Sequence, residues 1–174
     1  EIVREDIHLE PVSYYTVFRA DSLPQPVGYI AFSEFTEGSA LAFSNALDDL
    51  YYNQGARKLI IDLRGNGGGI VDEALQIVNL FVDRDHLVVE TKGKTSQSNR
   101  VYKTRNNPRY KDLPLVLLVD KNSASASEIV AGALQDLGRA KLIGQRTFGK
   151  GLVQNVRPVT LGGHLKVTTS KYYL

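Results

Sequence analysis

Ser123, Ser125 and Ser127 stand in the run Asn122-Ser-Ala-Ser-Ala-Ser-Glu128, and Lys150 follows within Thr147-Phe-Gly-Lys-Gly151, 25 positions after Ser125. A serine hydroxyl is a poor nucleophile until a base takes its proton, and an uncharged lysine amine can be that base. Free lysine has a pKa of about 10.4, so at pH 7 only about one amine in ~2,500 is neutral. A lysine that works as a base therefore needs burial among apolar groups and no carboxylate partner. Lys150 is flanked by glycines that let the backbone approach closely, Val153 lies just beyond, and no acidic residue follows Asp136. Plainer roles compete with this chemistry. All three serines have good helix-capping chemistry, and Ser125 with Glu128 satisfies the Ser-x-x-Glu capping box. Spacing does not choose among the three, and Lys150 taken alone reads first as a surface lysine in a glycine loop.

A second cluster, Asp62-Leu-Arg-Gly-Asn-Gly-Gly-Gly69, follows an apolar strand pattern and precedes a helical one. Its amides could cradle a phosphate or meet the developing negative oxygen of an acyl transfer. A tight strand-to-helix turn without a ligand is the bland alternative. The dinucleotide pattern fails, because Gly65 and Gly67 are followed by Ile70 where a third glycine belongs. The phosphate-loop pattern fails too, since Lys150 is followed by Gly151. His8, His86 and His164 each sit in a charged or glycine-containing turn, without metal-ligand spacing, and read as solvated turn residues.

The elements that must position these groups alternate. Strands are expected at 12–20, 27–33, 58–63, 86–91, 115–119, 141–144, 152–160 and 165–173. Helices are expected at 37–52, 72–82 and 125–137, where apolar residues recur at helical spacing. Pro24-Gln-Pro26 and Gly162-Gly163 mark turns, and the polar, Asn-rich stretch 92–112 reads as an exposed excursion. Such alternation predicts an α/β layered domain with a largely parallel sheet. The serine run then lies where a buried strand, Leu115 to Val119, turns sharply into a helix. That edge of a parallel sheet is where α/β proteins build their sites.

Composition narrows the function classes. The chain has 174 residues, 43% of them hydrophobic, enough for one globular domain with a real core. Its net charge of +2, from 21 basic and 19 acidic residues, is too small and dispersed to argue for nucleic acid or an anionic membrane. No apolar run approaches the ~20 residues of a membrane span. The absence of cysteine excludes disulfides and thiolate catalysis. A chain that opens on Glu1 and lacks methionine is expected to be an excised or processed piece.

Three segments in this order and spacing, Leu59 to Gly69 (LIIDLRGNGGG), Lys121 to Asp136 (KNSASASEIVAGALQD) and Gly144 to Gln154 (GQRTFGKGLVQ), closely resemble the carboxyl-terminal processing, or tail-specific, serine peptidases. The resemblance runs from about Val27 to Tyr173. It implies Ser125 as nucleophile, Lys150 as general base and Gln154 as the residue that orients the lysine. It implies oxyanion donors at the backbone N–H of Ala126 and of a glycine in Gly67–Gly69, with Gly69 favoured over Gly68. The implied fold is α/β, a caseinolytic-protease/crotonase-like core with C-terminal strands, and no cofactor is implied. The implied substrates are proteins or peptides with accessible C-terminal tails, met outside the cytoplasm in a bacterial periplasm or cell envelope. Family members usually carry a PDZ domain that reads such tails, and nothing here has the length for one. The expectation is thus a single peptidase core over 1–174, with 1–12 as the linker after an absent PDZ domain and the C-terminal end truncated. Self-association into a homo-oligomer stays open. Two rival readings are a proteolytically silent binding or scaffolding module on the same fold and an acyl-CoA enzyme of the crotonase kind.

Overall fold

In the computed structural model, residues 10–174 are described. The expectations for His8 and for most of the linker fall on residues 1–9, outside that range. The order of elements is β1 (Val12–Phe18), β2 (Val27–Phe32), α1 (Ser39–Asp48), β3 (Lys58–Asp62), α2 (Val71–Asn79), β4 (Leu87–Gly93), β5 (Arg100–Lys103), β6 (Leu115–Val119), α3 (Ala126–Asp136), β7 (Ala140–Gly144), β8 (Leu152–Pro158) and β9 (His164–Tyr173). β1 begins at Val12, so that residue belongs to the sheet rather than to a linker.

Two sheets carry these strands. The larger has the order β1-β2-β3-β6-β7, with β1 antiparallel to β2 and the other neighbours parallel. The smaller is antiparallel in the order β5-β4-β9-β8. β3 and β6 alternate: Leu59 and Ile61 on one, and Leu115, Leu117 and Val119 on the other, are buried, while Ile60, Val116 and Leu118 are half-buried. The buried face takes the apolar stripes of the helices, including Phe43 and Leu47 of α1, Ile77 and Val78 of α2, and Ile129, Val130 and Leu134 of α3. Burial of this kind contributes about 1.5–3 kcal/mol per large aliphatic or aromatic side chain.

The helix starts show how tightly the layers are tied. α1 begins after Gly38, whose φ of 79° suits glycine, and its open amides are met by Glu73 of α2. That buried carboxylate accepts from the Gly38 N–H at 3.2 Å and the Ala40 N–H at 2.7 Å. An anion at a helix N-terminus is stabilised by the unpaired amides and the helix dipole. The excursion expected at 92–112 contains strand β5, paired antiparallel with β4. β5 is mostly exposed, so it shows no apolar alternation, and its place in the sheet rests on backbone pairing.

Candidate active site

β3 and β6 pair in parallel with Asp62 opposite Leu118, so the turns that follow them leave the same edge of the sheet. The two turns are bonded to one another. The Asp120 carboxylate accepts from the Gly65 N–H at 3.0 Å, the Asn122 N–H at 2.9 Å and the Ser123 N–H at 3.1 Å. These amides, Gly65 foremost, hold the Asp120 carboxyl below the usual carboxylate range. Asn66 lies at the centre, fully buried. Its side chain donates to the Phe32 carbonyl at 2.8 Å and accepts the Gly68 N–H at 2.9 Å. Its own carbonyl accepts the Ala124 N–H and the Ser127 hydroxyl, both at 3.0 Å. The sequence reading gave Asn66 no role. Its signal was a single amide side chain inside a run of glycines.

The three serines separate once their hydroxyls are followed. Ser123 Oγ donates to the Leu63 carbonyl at 2.7 Å, and Ser127 Oγ to the Asn66 carbonyl. Both are fully buried and fasten one turn to the other. Among the described residues, the Ser125 hydroxyl donates to no protein group. Ser125 stands immediately before α3 with φ 56° and ψ −113°, a conformation that L residues adopt only at a cost. Asp85 is the one other non-glycine residue of positive φ among those described. Gly68 makes room for this bend. The fully buried Ala126 follows at the first position of α3. Among the described residues the N–H groups of Ala126, Gly67 and Gly69 donate no hydrogen bond, whereas that of Gly68 is engaged by Asn66.

Lys150 reaches this place through Glu128. The capping box expected between Ser125 and Glu128 forms, with the Ser125 N–H 2.8 Å from Glu128 Oε2. The same oxygen accepts the backbone N–H of Lys150 at 2.9 Å. Oε1 accepts the Thr147 hydroxyl at 2.8 Å and the Gly149 N–H at 2.6 Å. The stretch free of acids along the sequence is therefore not free of them in space, because α3 delivers one to the lysine loop. That carboxylate is bound to the loop's backbone, and among the described residues no ion pair engages the Lys150 amine. Lys150 is half-buried. Gln154 is exposed on β8, beside a bulge between Val153 and Gln154, and has no hydrogen bond to Lys150.

Comparison with known proteins decides the family, since the family model for peptidase family S41 matches residues 26–174. The chain belongs to peptidase family S41. Chloroplast carboxyl-terminal-processing peptidase 3 of Arabidopsis thaliana is 38% identical over 177 residues, covering 99% of this chain and 33% of its own length. The carboxyl-terminal-processing protease of a Synechocystis strain is 40% identical over 172 residues, covering 98% of this chain and 39% of its own. The solved photosystem II D1 C-terminal processing protease superposes with a TM-score of 0.82 at 33% identity, across 98% of this chain and 45% of that one. The chain thus spans between a third and two-fifths of the length of these curated relatives. A mature CPAF structure, at 14% identity and a TM-score of 0.68, shares the fold. The α/β architecture expected from the sequence is that of S41 peptidases.

Proposed function

We propose that the chain is the catalytic core of a serine endopeptidase of the carboxyl-terminal processing type, which cleaves near the C-terminus of protein substrates through an acyl-enzyme. The observation that carries this reading is the shared acceptor Glu128 Oε2, which joins the backbone of Ser125 to that of Lys150. Of the three serines, Ser125 is the one whose hydroxyl donates to no protein group, and its N–H shares an acceptor oxygen with the N–H of Lys150.

In this reading the neutral Lys150 amine takes the proton of Ser125 Oγ as that oxygen attacks the scissile carbonyl carbon. The carbonyl oxygen gains the negative charge, and the open N–H groups of Ala126 and Gly69 receive it. The protonated amine then gives its proton to the departing amine as the peptide C–N bond breaks. Water, deprotonated by the same amine, attacks the resulting ester, and Ser125 leaves with its proton restored. The orienting role of Gln154 rests on the family resemblance, since Gln154 is exposed on β8 and shares no hydrogen bond with Lys150. Substrates with accessible C-terminal tails, a tail-reading PDZ domain in the full-length protein and action outside the cytoplasm, in a periplasm or cell envelope, belong to the same reading and rest on the family resemblance.

The test uses the full-length protein. Lys150→Ala is expected to stay folded and to lose roughly 10²–10⁴-fold in turnover, the usual contribution of a general base. Turnover near the wild-type rate in that variant defeats the Ser125–Lys150 assignment.

A further inference from the structure

The loop that carries Lys150, between β7 and β8, has little of its own to hold it. Residues 145–151 form no helix or strand, and the loop's one large apolar side chain, Phe148, is 65% exposed. What fastens the loop on the nucleophile's side is polar. The Phe148 N–H donates to the Ser123 carbonyl at 3.0 Å, and Thr147, Gly149 and Lys150 all donate to Glu128. An ionised carboxylate offers about four acceptor positions. Those of Glu128 are taken by four donors, one from the nucleophile's own residue and three from the lysine loop.

We propose that Glu128 is a positioning residue for the peptidase chemistry: its four-donor carboxylate fixes the Lys150 loop against the start of α3 and so sets the approach of the lysine amine to the Ser125 hydroxyl. The inference rests on the Ser125–Lys150 reading and assigns Glu128 a task beyond helix capping. A cap needs only the Ser125 N–H, whereas three of the four bonds go to residues 19 to 22 positions away that are no part of the helix. The arrangement also fixes which part of the lysine the acid touches. By holding the main chain, the carboxylate is saturated with donors and leaves the amine outside its hydrogen-bonding shell. An acid paired with the amine would favour its protonated form and disable it as a base.

The substitutions that separate this role from capping follow from donor counts. Glu128→Gln keeps the length and shape of the side chain but replaces one acceptor oxygen by an NH₂ group. That group cannot accept from the two donors it then faces. Thr147→Val removes one loop donor, touches neither Ser125 nor the helix, and is mild enough to leave folding intact. In full-length protein, Glu128→Gln is expected to lower kcat by roughly 10- to 100-fold, the range of a lost charge-assisted hydrogen bond, with KM changed by less than about threefold. Thr147→Val should lower kcat by roughly threefold to tenfold at unchanged thermal midpoint, and by less in the Glu128→Gln background, because the two share one bond. Labelling of Ser125 by a fluorophosphonate, followed against pH, should slow in parallel with kcat. A Glu128→Gln enzyme with wild-type kcat overturns the proposal. Should that variant fail to fold, wild-type kcat in Thr147→Val overturns it instead. Turnover retained by Lys150→Ala sinks the underlying dyad, whereas a dead Lys150→Ala beside a fully active Glu128→Gln sinks the positioning role alone.

Discussion

Gly68 lies directly against Ser125. A Cβ at Gly68 would stand 2.8 Å from Ser125 Cβ, 2.5 Å from the Ala124 carbonyl oxygen and 2.9 Å from the Ala126 nitrogen. Two of these neighbours are backbone and cannot swing aside, and the φ of +96° at Gly68 is itself costly for any other residue. Gly68→Ala is therefore expected to reduce stability by about 2 kcal/mol or more, through overpacking and backbone strain together. It should also push the Ser125 turn out of place, so that a fluorophosphonate no longer labels the serine. A variant that keeps both its urea midpoint and its labelling rate would show that the contact is not needed.

Asp62 ties the end of β3 to the turn that carries those glycines. Its carboxylate accepts from the Arg64 N–H at 3.0 Å, from Arg64 Nε and a terminal guanidinium nitrogen at 2.9 and 2.6 Å, and from the Tyr29 hydroxyl at 2.7 Å. Burial by itself pushes this acid's pKa up, but the Arg64 side chain, the Tyr29 hydroxyl and the Arg64 amide together outweigh burial and hold it below the usual carboxylate range. A depressed folded-state pKa contributes stability that is full above the unfolded value of about 3.9 and fades as pH falls through the folded value. Asp62→Asn should thus cost about 1–3 kcal/mol near pH 7, and the gap from wild type should narrow as pH falls below about 4. Urea titrations of the two proteins at several pH values measure this gap. A gap of constant size down to pH 2 would rule out the linkage.

The parts of this architecture that declare themselves in sequence are those whose burial is continuous. Leu115 to Val119 reads as a strand because an unbroken apolar run lies between Pro114 and Asp120, and β6 has those limits. The stripe of Ile129, Val130, Ala133 and Leu134 likewise foretells α3 and the face it buries. β5 escapes because Arg100–Lys103 is mostly exposed and owes its conformation to backbone pairing with β4. The candidate site divides along the same line. Its turns, its glycines and Lys150 are visible as residue types at strand and helix ends. The choice among the serines is not, because it depends on which hydroxyl meets the Leu63 and Asn66 carbonyls some 60 residues away. Glu128 is legible only as a cap, since its three other donors arrive from a loop that nothing local joins to α3.

Strain at the nucleophile offers a prediction that separates stability from activity. Ser125 sits at φ 56°, ψ −113°, a region that glycine enters freely and that costs other residues about 1–3 kcal/mol. As the N-cap of α3, the serine also contributes to helix stability. Alanine there would keep the strain and lose about 1 kcal/mol of capping, whereas glycine loses only a few tenths as a cap and sheds the strain. Glycine's greater freedom in the unfolded chain offsets about 0.5–1 kcal/mol of that relief. Both substitutions remove the hydroxyl, so neither protein should cleave peptide or accept a fluorophosphonate. Their stabilities should nevertheless differ, with Ser125→Gly above Ser125→Ala by about 1–3 kcal/mol, read from denaturant midpoints at an unchanged slope. If alanine proves as stable as glycine, the bend at Ser125 stores no strain, and the hydroxyl's position owes nothing to a forced backbone.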